Sequence, residues 1–118
     1  STPLIPVADG LLVMPLIGTI DQTRARQILE SLLEGVVRQR SRFVILDMTG
    51  VREADAQVAS TLVQAACASR LLGVQVILTG ISPAMAQALV GLNAELTGIA
   101  TLSTLQSGIA YALQKIQK

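Results

Sequence analysis

The sequence contains no histidine, no tryptophan and only one cysteine among its 118 residues. Without histidine, Ser-His-Asp and Cys-His catalytic arrangements and metal sites built on imidazole are excluded. The single cysteine, Cys67, cannot form a disulfide within the chain, so we expect a reducing, cytoplasmic environment. Because Cys67 falls in the middle of an apolar helical segment, we predict that it is a packing residue and not a nucleophile.

Aromatic residues are also scarce, at 2% of the chain, although hydrophobic residues make up 51%. The core must therefore consist of Leu, Ile, Val and Ala, a composition that favours helices packed closely on a sheet. A net charge of +1 and the lack of stacking aromatics argue against a nucleic-acid partner. Neither GxxxxGKS/T nor GxGxxG occurs, so the usual phosphate-binding loops are missing.

No membrane segment or signal peptide is predicted. Residues 71–94 carry no charge and are long enough to cross a bilayer, but glycines and a proline interrupt them, and a strand, a turn and a helix explain them better. The start, STPLIPVADG, lacks a charged region and a long apolar run. Because it begins at Ser1 and not at Met, we expect residues 1–118 to be one domain of a longer protein.

Turn signals and hydrophobic periodicity predict the order ββαβαβαβα. Strands at 4–8 and 11–18 flank Asp9-Gly10, a dipeptide typical of hairpins. Helical and β-rich patterns then alternate, with helices starting near 21, 55, 82 and 103 and strands at 43–48, 74–80 and 99–102. This order predicts an α/β fold: a mostly parallel sheet with an N-terminal β-hairpin and four helices.

The first helix is predicted to be amphipathic, with Asp21 as its N-cap. Its exposed face carries two charge pairs at i,i+4 spacing, Arg26–Glu30 and Glu34–Arg38. The buried face is predicted to consist of Ala25, Ile28, Leu29, Leu32, Leu33, Val36 and Val37.

Charge is nearly missing from the second half of the chain, where Arg70 and Glu95 are the only charged residues between 56 and 114. Part of this region must be exposed, because a domain of this size cannot bury half its chain. The second helix is predicted to bury Leu62, Val63, Ala66 and Leu71. Its outer face then presents neutral residues, namely Gln57, Ser60, Gln64, Cys67 and Ala68. Removing water from such a face costs little free energy, so the face favours a protein interface. The alternative is an ordinary solvent-exposed surface rich in Ala and Gln.

Acidic residues crowd the segment DMTGVREADAQVAS before that helix. Asp47, Glu53 and Asp55 could hold a magnesium ion near the strand ends. Simpler roles are favoured, with Asp47 bracing a loop over residues 49–54, Glu53 solvated, and Asp55 capping the helix. We therefore expect no metal, no cofactor and no enzymatic activity.

Several segments together resemble a STAS domain (sulphate transporter and anti-sigma factor antagonist): the hairpin, PLIGTID, FVILDMTGV, the DAQVA helix start, LLGVQVILTGISP and TLQSGIAYAL. The chain is similar in particular to the C-terminal domain of RsbR-type stressosome proteins. The resemblance implies a regulatory scaffold that forms a homo-dimer or larger assembly with RsbS-type STAS proteins. Such scaffolds hold an RsbT-type switch kinase and release it when the assembly is phosphorylated.

In the family, the phosphoacceptor is a Ser or Thr that follows the Asp at the start of the second helix. The matching pair here is Asp55-Ala56, and a second regulatory threonine falls near Ala88, so both positions are predicted to be silent. The implied partner-binding surface is Glu53, Asp55, Ala56, Gln57, Ser60 and Gln64. The alternatives are a simple anti-sigma factor antagonist that binds an anti-sigma factor kinase, and a STAS module that binds a nucleotide or another small molecule.

Overall fold

The computed structural model describes residues 2–53, 55–92, 96 and 98–117. The strands are β1 Ile5–Ala8, β2 Leu11–Gly18, β3 Phe43–Val51, β4 Gln75–Thr79 and β5 Ala100–Leu102. The helices are α1 Gln22–Arg38, α2 Ala56–Leu71, α3 Pro83–Gly91 and α4 Leu105–Ile116. The predicted order of elements is confirmed. None of the helices in the described ranges is long and apolar enough to cross a bilayer.

The five strands form one sheet in the order β1-β2-β3-β4-β5. The β1–β2 hairpin is antiparallel and the other three pairings are parallel, as predicted. Alternate strand residues point to opposite faces, so the sheet separates two apolar clusters. Helices α1, α2 and α3 cover one face, and α4 covers the other over β3, β4 and β5.

Strand β3 is buried on both faces from Phe43 to Met48, as its unbroken apolar run predicted. The predicted end of this strand was wrong, because residues 49–51 continue the strand and do not begin a loop. Gly50 pairs with Ile17 and Val51 pairs with Gly18. Just after the strand, the Arg52 N–H donates a backbone hydrogen bond of 3.0 Å to the Gly18 carbonyl at the end of β2.

Helix α1 begins at the predicted cap, where the Asp21 carboxyl accepts from the Arg24 N–H over 2.8 Å. Four of the predicted core positions, Ala25, Ile28, Leu32 and Val36, are buried. Val37 is 61% exposed, contrary to prediction. It lies nine residues after Ile28, about two and a half helical turns away, and so on the opposite face.

The outer face of α1 carries one of its two predicted ion pairs. Glu34 and Arg38 lie 2.6 Å apart, with both side chains largely exposed. Arg26 and Glu30, the second predicted pair, do not form a salt bridge. An exposed pair of this kind contributes about 0.5 kcal/mol at most.

Helix α4 approaches the sheet closely because two small residues, Gly108 and Ala112, face it. A Cβ atom added at Gly108 would lie 2.6 Å from Cγ2 of Thr79 in β4. The helix starts at a capping box in which Thr104 and Ser107 satisfy each other's backbone N–H groups. The position of α4 therefore depends on the absence of a side chain at residue 108.

We predict that Gly108→Ala destabilises the protein by about 1 to 3 kcal/mol, because the new methyl group forces α4 away from Thr79. The matched control is Gly91→Ala in α3, where an added Cβ meets nothing within 4 Å. We expect that change to be neutral or to stabilise by up to about 1 kcal/mol. Urea denaturation of both variants measures the difference, and equal effects would contradict the close contact at Gly108.

Candidate docking site

The second helix starts as the sequence predicted. The Asp55 side chain caps α2 by accepting from the Val58 N–H over 3.0 Å. Ala56 is the first helical residue and is exposed, as is Glu53 in the preceding loop. The carboxyl group of Asp55 therefore already occupies the part of the helix N-terminus where an anion would otherwise bind.

The outer face of α2 is uncharged over most of its length. Gln57, Gln64 and Cys67 are exposed and Ser60 is half-buried, at the spacing of one helical face. The exposure of Cys67 agrees with its predicted place on the outer face of α2, although it means that Cys67 is not a core packing residue. The predicted surface Gln57–Ser60–Gln64 is thus one continuous row that starts beside Ala56.

The buried face of α2 differs in part from the prediction. Leu62 and Ala66 are buried and Val63 is partly buried, but Leu71 is 89% exposed. Leu71 follows Leu62 by nine residues and therefore points the opposite way. Two polar residues, Thr61 and Ser69, are buried instead. Apolar periodicity did not identify these two, because their side chains gave no hydrophobic signal.

Thr61 and Ser69 are buried in different ways. The Thr61 hydroxyl donates to the Gln57 carbonyl over 2.9 Å, one turn earlier in the helix. Within the described part of the chain, the Ser69 Oγ atom has no hydrogen-bond partner although the residue is fully buried. Both faces of α2 therefore carry polar side chains, which explains why its hydrophobic pattern is weak.

Asp47 lies inside β3 and is only 7% exposed. Two hydroxyl groups donate to its Oδ1 atom, from Thr79 at 2.7 Å and from Thr49 at 3.1 Å. Asp47 and Thr79 are direct partners in the β3–β4 register. The bracing role predicted for Asp47 is thus present, but it acts between two strands and not on a loop.

Thr79 was not predicted from the sequence as a structural residue. It is fully buried, and no feature of its own segment indicates the carboxyl group on the adjacent strand. The next residue, Gly80, has a φ of +70° and allows Thr49 to approach. A Cβ at residue 80 would lie 2.2 Å from the Thr49 Oγ1 atom.

The magnesium hypothesis requires the carboxylates of Asp47, Glu53 and Asp55 to come together. Among residues 2–53, 55–92, 96 and 98–117, no three His, Cys, Asp or Glu side chains come together as metal ligands. Asp47 lines a cleft of about 570 Å³ at the carboxyl ends of β3 and β4. The other lining residues are Thr49, Gly80, Ile81, Ser103, Thr104, Leu105 and Gln106.

Ala88, predicted to replace the second phosphoacceptor, lies in α3. It is half-buried and packs against the core beneath the helices. Ala56 is exposed at the start of α2, so only the first of the two positions is freely presented to another protein. The structure therefore separates one accessible position from one that is partly covered.

We predict that Thr79→Val costs about 1 to 3 kcal/mol, because it removes a buried hydrogen bond to Asp47 while keeping the side-chain volume. Thr49→Val removes the longer bond to the same atom from an exposed residue and should cost less than about 1 kcal/mol. Chemical denaturation compares the two variants. A larger loss from Thr49→Val would contradict the central role of Thr79.

The chain matches the family model for the STAS domain over residues 2–110. It is 49% identical over 114 residues to the RsbT co-antagonist protein RsbRA of Bacillus subtilis (strain 168). That alignment covers 97% of this chain and 42% of RsbRA. The chain therefore spans about two fifths of the length of this relative.

Solved structures show the same architecture. A variant of RsbS from Moorella thermoacetica superposes with a TM-score of 0.85 at 28% identity, over 99% of this chain and 98% of that one. A chain of the stressosome gives a TM-score of 0.78 at 27% identity, over 98% of this chain and 100% of that one. On the family match, the RsbRA identity and this shared architecture, the chain belongs to the STAS domain family.

Proposed function

We propose that this STAS domain is a non-enzymatic scaffold and regulatory domain of a stressosome-type complex. The observation that carries the proposal is the exposed, uncharged row on α2 that begins at Ala56. The similarity of this chain to RsbRA, a co-antagonist of RsbT, supports an RsbT-type switch kinase as one partner. The similarity of the chain to RsbS and to a stressosome chain supports RsbS-type STAS proteins as the other partners.

In this proposal Ala56 replaces the phosphoacceptor and holds the switch in its unmodified state. A phosphate at this position would add a charge of about −2. It would lie beside Glu53 and Asp55, at the edge of the neutral row on α2. Repulsion and desolvation would then oppose docking, whereas a methyl group leaves the surface uncharged. In the same proposal Ala88 stands at the second site and is silent for the same chemical reason.

The docking surface of the proposal consists of Glu53, Asp55, Ala56, Gln57, Ser60 and Gln64. Stable interfaces cover roughly 800 Å² on each partner, more than one helical row offers. We therefore expect the partner to extend beyond α2, and we expect the isolated domain to form a dimer or to join a larger assembly. We also propose that residues 1–118 are the STAS domain of a longer sensor protein that works in the cytoplasm.

One observation favours a second candidate function, the binding of a small molecule. The cleft beside Asp47 lies at the carboxyl ends of parallel strands, where α/β proteins often bind ligands. Calorimetric titration with GTP or ATP tests this candidate. A simple anti-sigma factor antagonist is less favoured, because that cycle depends on a phosphoacceptor that Ala56 cannot supply.

Sedimentation velocity tests the scaffold proposal. The domain is run alone and mixed with RsbS-type and RsbT-type proteins of Bacillus subtilis, with and without ATP, using partners whose own phosphosites are blocked. We expect co-sedimentation that persists when ATP is present. A domain that stays monomeric and ignores both partners would overturn the proposal.

We predict that Ala56→Glu weakens partner binding at least tenfold, because it adds a negative charge beside Glu53 and Asp55. The matched control is Ala110→Glu, which adds the same charge at an exposed position of α4, on the other face of the sheet. That change should alter affinity less than about twofold.

Intact mass after incubation with the kinase and ATP tests the silent switch directly. The natural chain is expected to gain no phosphate, whereas Ala56→Thr is expected to gain one. A stoichiometric phosphate on the unsubstituted chain, for example at Ser60, Thr61 or Thr79, would show that another residue accepts the phosphate and that the chain has not lost its phosphoacceptor.

A further inference from the structure

The carboxyl ends of β4 and β5 form a topological switch point. Strand β4 leads into α3 on one face of the sheet, whereas β5 leads into α4 on the other face. In open α/β sheets, ligands bind in the crevice that opens where neighbouring connections diverge in this way. The crevice here contains the cleft beside Asp47 and an apolar pocket of about 370 Å³, which adjoin at Ile81 and Ser103.

Asp47 brings a carboxyl group to the cleft that it lines. The residue is only 7% exposed, and the hydroxyl groups of Thr79 and Thr49 both donate to its Oδ1 atom. Among the residues that the structure describes, no protein group donates to Oδ2. A buried carboxyl oxygen without a donor favours a ligand that supplies one, and a cationic N–H group makes the strongest bond.

The start of α4 forms another wall of the same cleft, with the opposite polarity. The capping box engages the backbone N–H groups of Thr104 and Ser107. The two residues between them, Leu105 and Gln106, line the cleft, and their N–H groups have no acceptor within the described ranges. Such N–H groups at a helix N-terminus bind carboxylates.

The adjoining pocket supplies an apolar environment. Its lining includes the aliphatic residues Ile81, Leu89, Val90, Leu96 and Leu102. A pocket of this kind receives an apolar group, while the polar groups at its border fix the orientation of the ligand. The crevice therefore combines an acceptor for a cation, donors for an anion and a pocket for an aliphatic group.

We propose that this crevice binds a free α-amino acid with an apolar side chain. The ammonium group donates to Oδ2 of Asp47, the carboxylate accepts from the N–H groups of Leu105 and Gln106, and the side chain enters the apolar pocket. An α-amino acid carries these three groups on one carbon atom. The inference rests on the second candidate function, for which it names the ligand class, and it is independent of the scaffold function.

A nucleotide matches the crevice less well. Phosphate groups need cationic partners, and the described residues that line the two cavities include no lysine or arginine. The carboxyl group of Asp47 would also repel a phosphate. An amino acid brings a single negative charge and balances it with its own ammonium group.

Isothermal titration calorimetry of the domain with L-leucine tests the site. We expect one molecule to bind with a Kd below about 1 mM. Three analogues each omit one group: 4-methylpentanoic acid lacks the ammonium, 3-methylbutylamine lacks the carboxylate, and glycine lacks the apolar side chain. Each should bind at least about tenfold more weakly than leucine. An analogue that binds as tightly as leucine would overturn the assignment.

Asp47→Asn tests the ammonium contact from the side of the protein. Asparagine keeps the Oδ1 acceptor for both threonines but removes the carboxylate charge, so the Kd for leucine should rise at least about tenfold. The matched control is Asp21→Asn, which removes the same charge at the cap of α1, where asparagine caps equally well. It should leave the Kd within about twofold. If Asp47→Asn lowers the melting temperature too far to be measured, the three analogues decide.

The result with nucleotides separates the possible failures. If leucine does not bind at concentrations up to about 10 mM whereas GTP or ATP binds, the amino-acid inference is overturned and the second candidate function stands. If none of these molecules binds, both are overturned. The scaffold function is tested separately by co-sedimentation with its partner proteins.

Discussion

Burial of the first six residues of the central strand β3 is the constraint on which the rest of the molecule depends. Its residues 43–48 are covered on both faces, so helices must lie on both sides of the sheet. Within this strand the carboxyl group of Asp47, which would be costly to bury without a partner, is tied to Thr79 on β4. The strand then continues to Val51, a few residues before the start of α2.

The proposed function depends on where charged side chains lie on the outer faces of the helices. Helix α1 carries most of the charged residues of the helical layer on its outer face, whereas the row of α2 from Gln57 to Cys67 presents amides, a hydroxyl and a thiol. In the proposal, the neutral row of α2 forms a docking surface beside the position of the absent phosphoacceptor. Control of binding then depends on position 56, which supplies or omits charge.

Helix and strand assignments could be predicted well, because caps, turns and periodicity are local signals. Asp21 and Asp55 cap their helices as expected. The errors share a cause: Val37 and Leu71 were assigned to the buried faces of their helices on hydrophobicity, yet each is exposed. A helix rotates about 100° per residue, so an apolar residue at the end of a helix can point away from the core. Residues 49–51 were assigned to a loop because their pairing with β2 is not local.

The sequence by itself determined the order of the elements, the helix caps, the uncharged second half and the presence of alanine at position 56. Each of these is a property of one residue or of a short segment. Tertiary structure alone decided that Thr79 donates to Asp47 and that Gly108 lies against Thr79. These contacts join residues that are far apart in the chain, and only the pairing of strands and the packing of α4 bring them together.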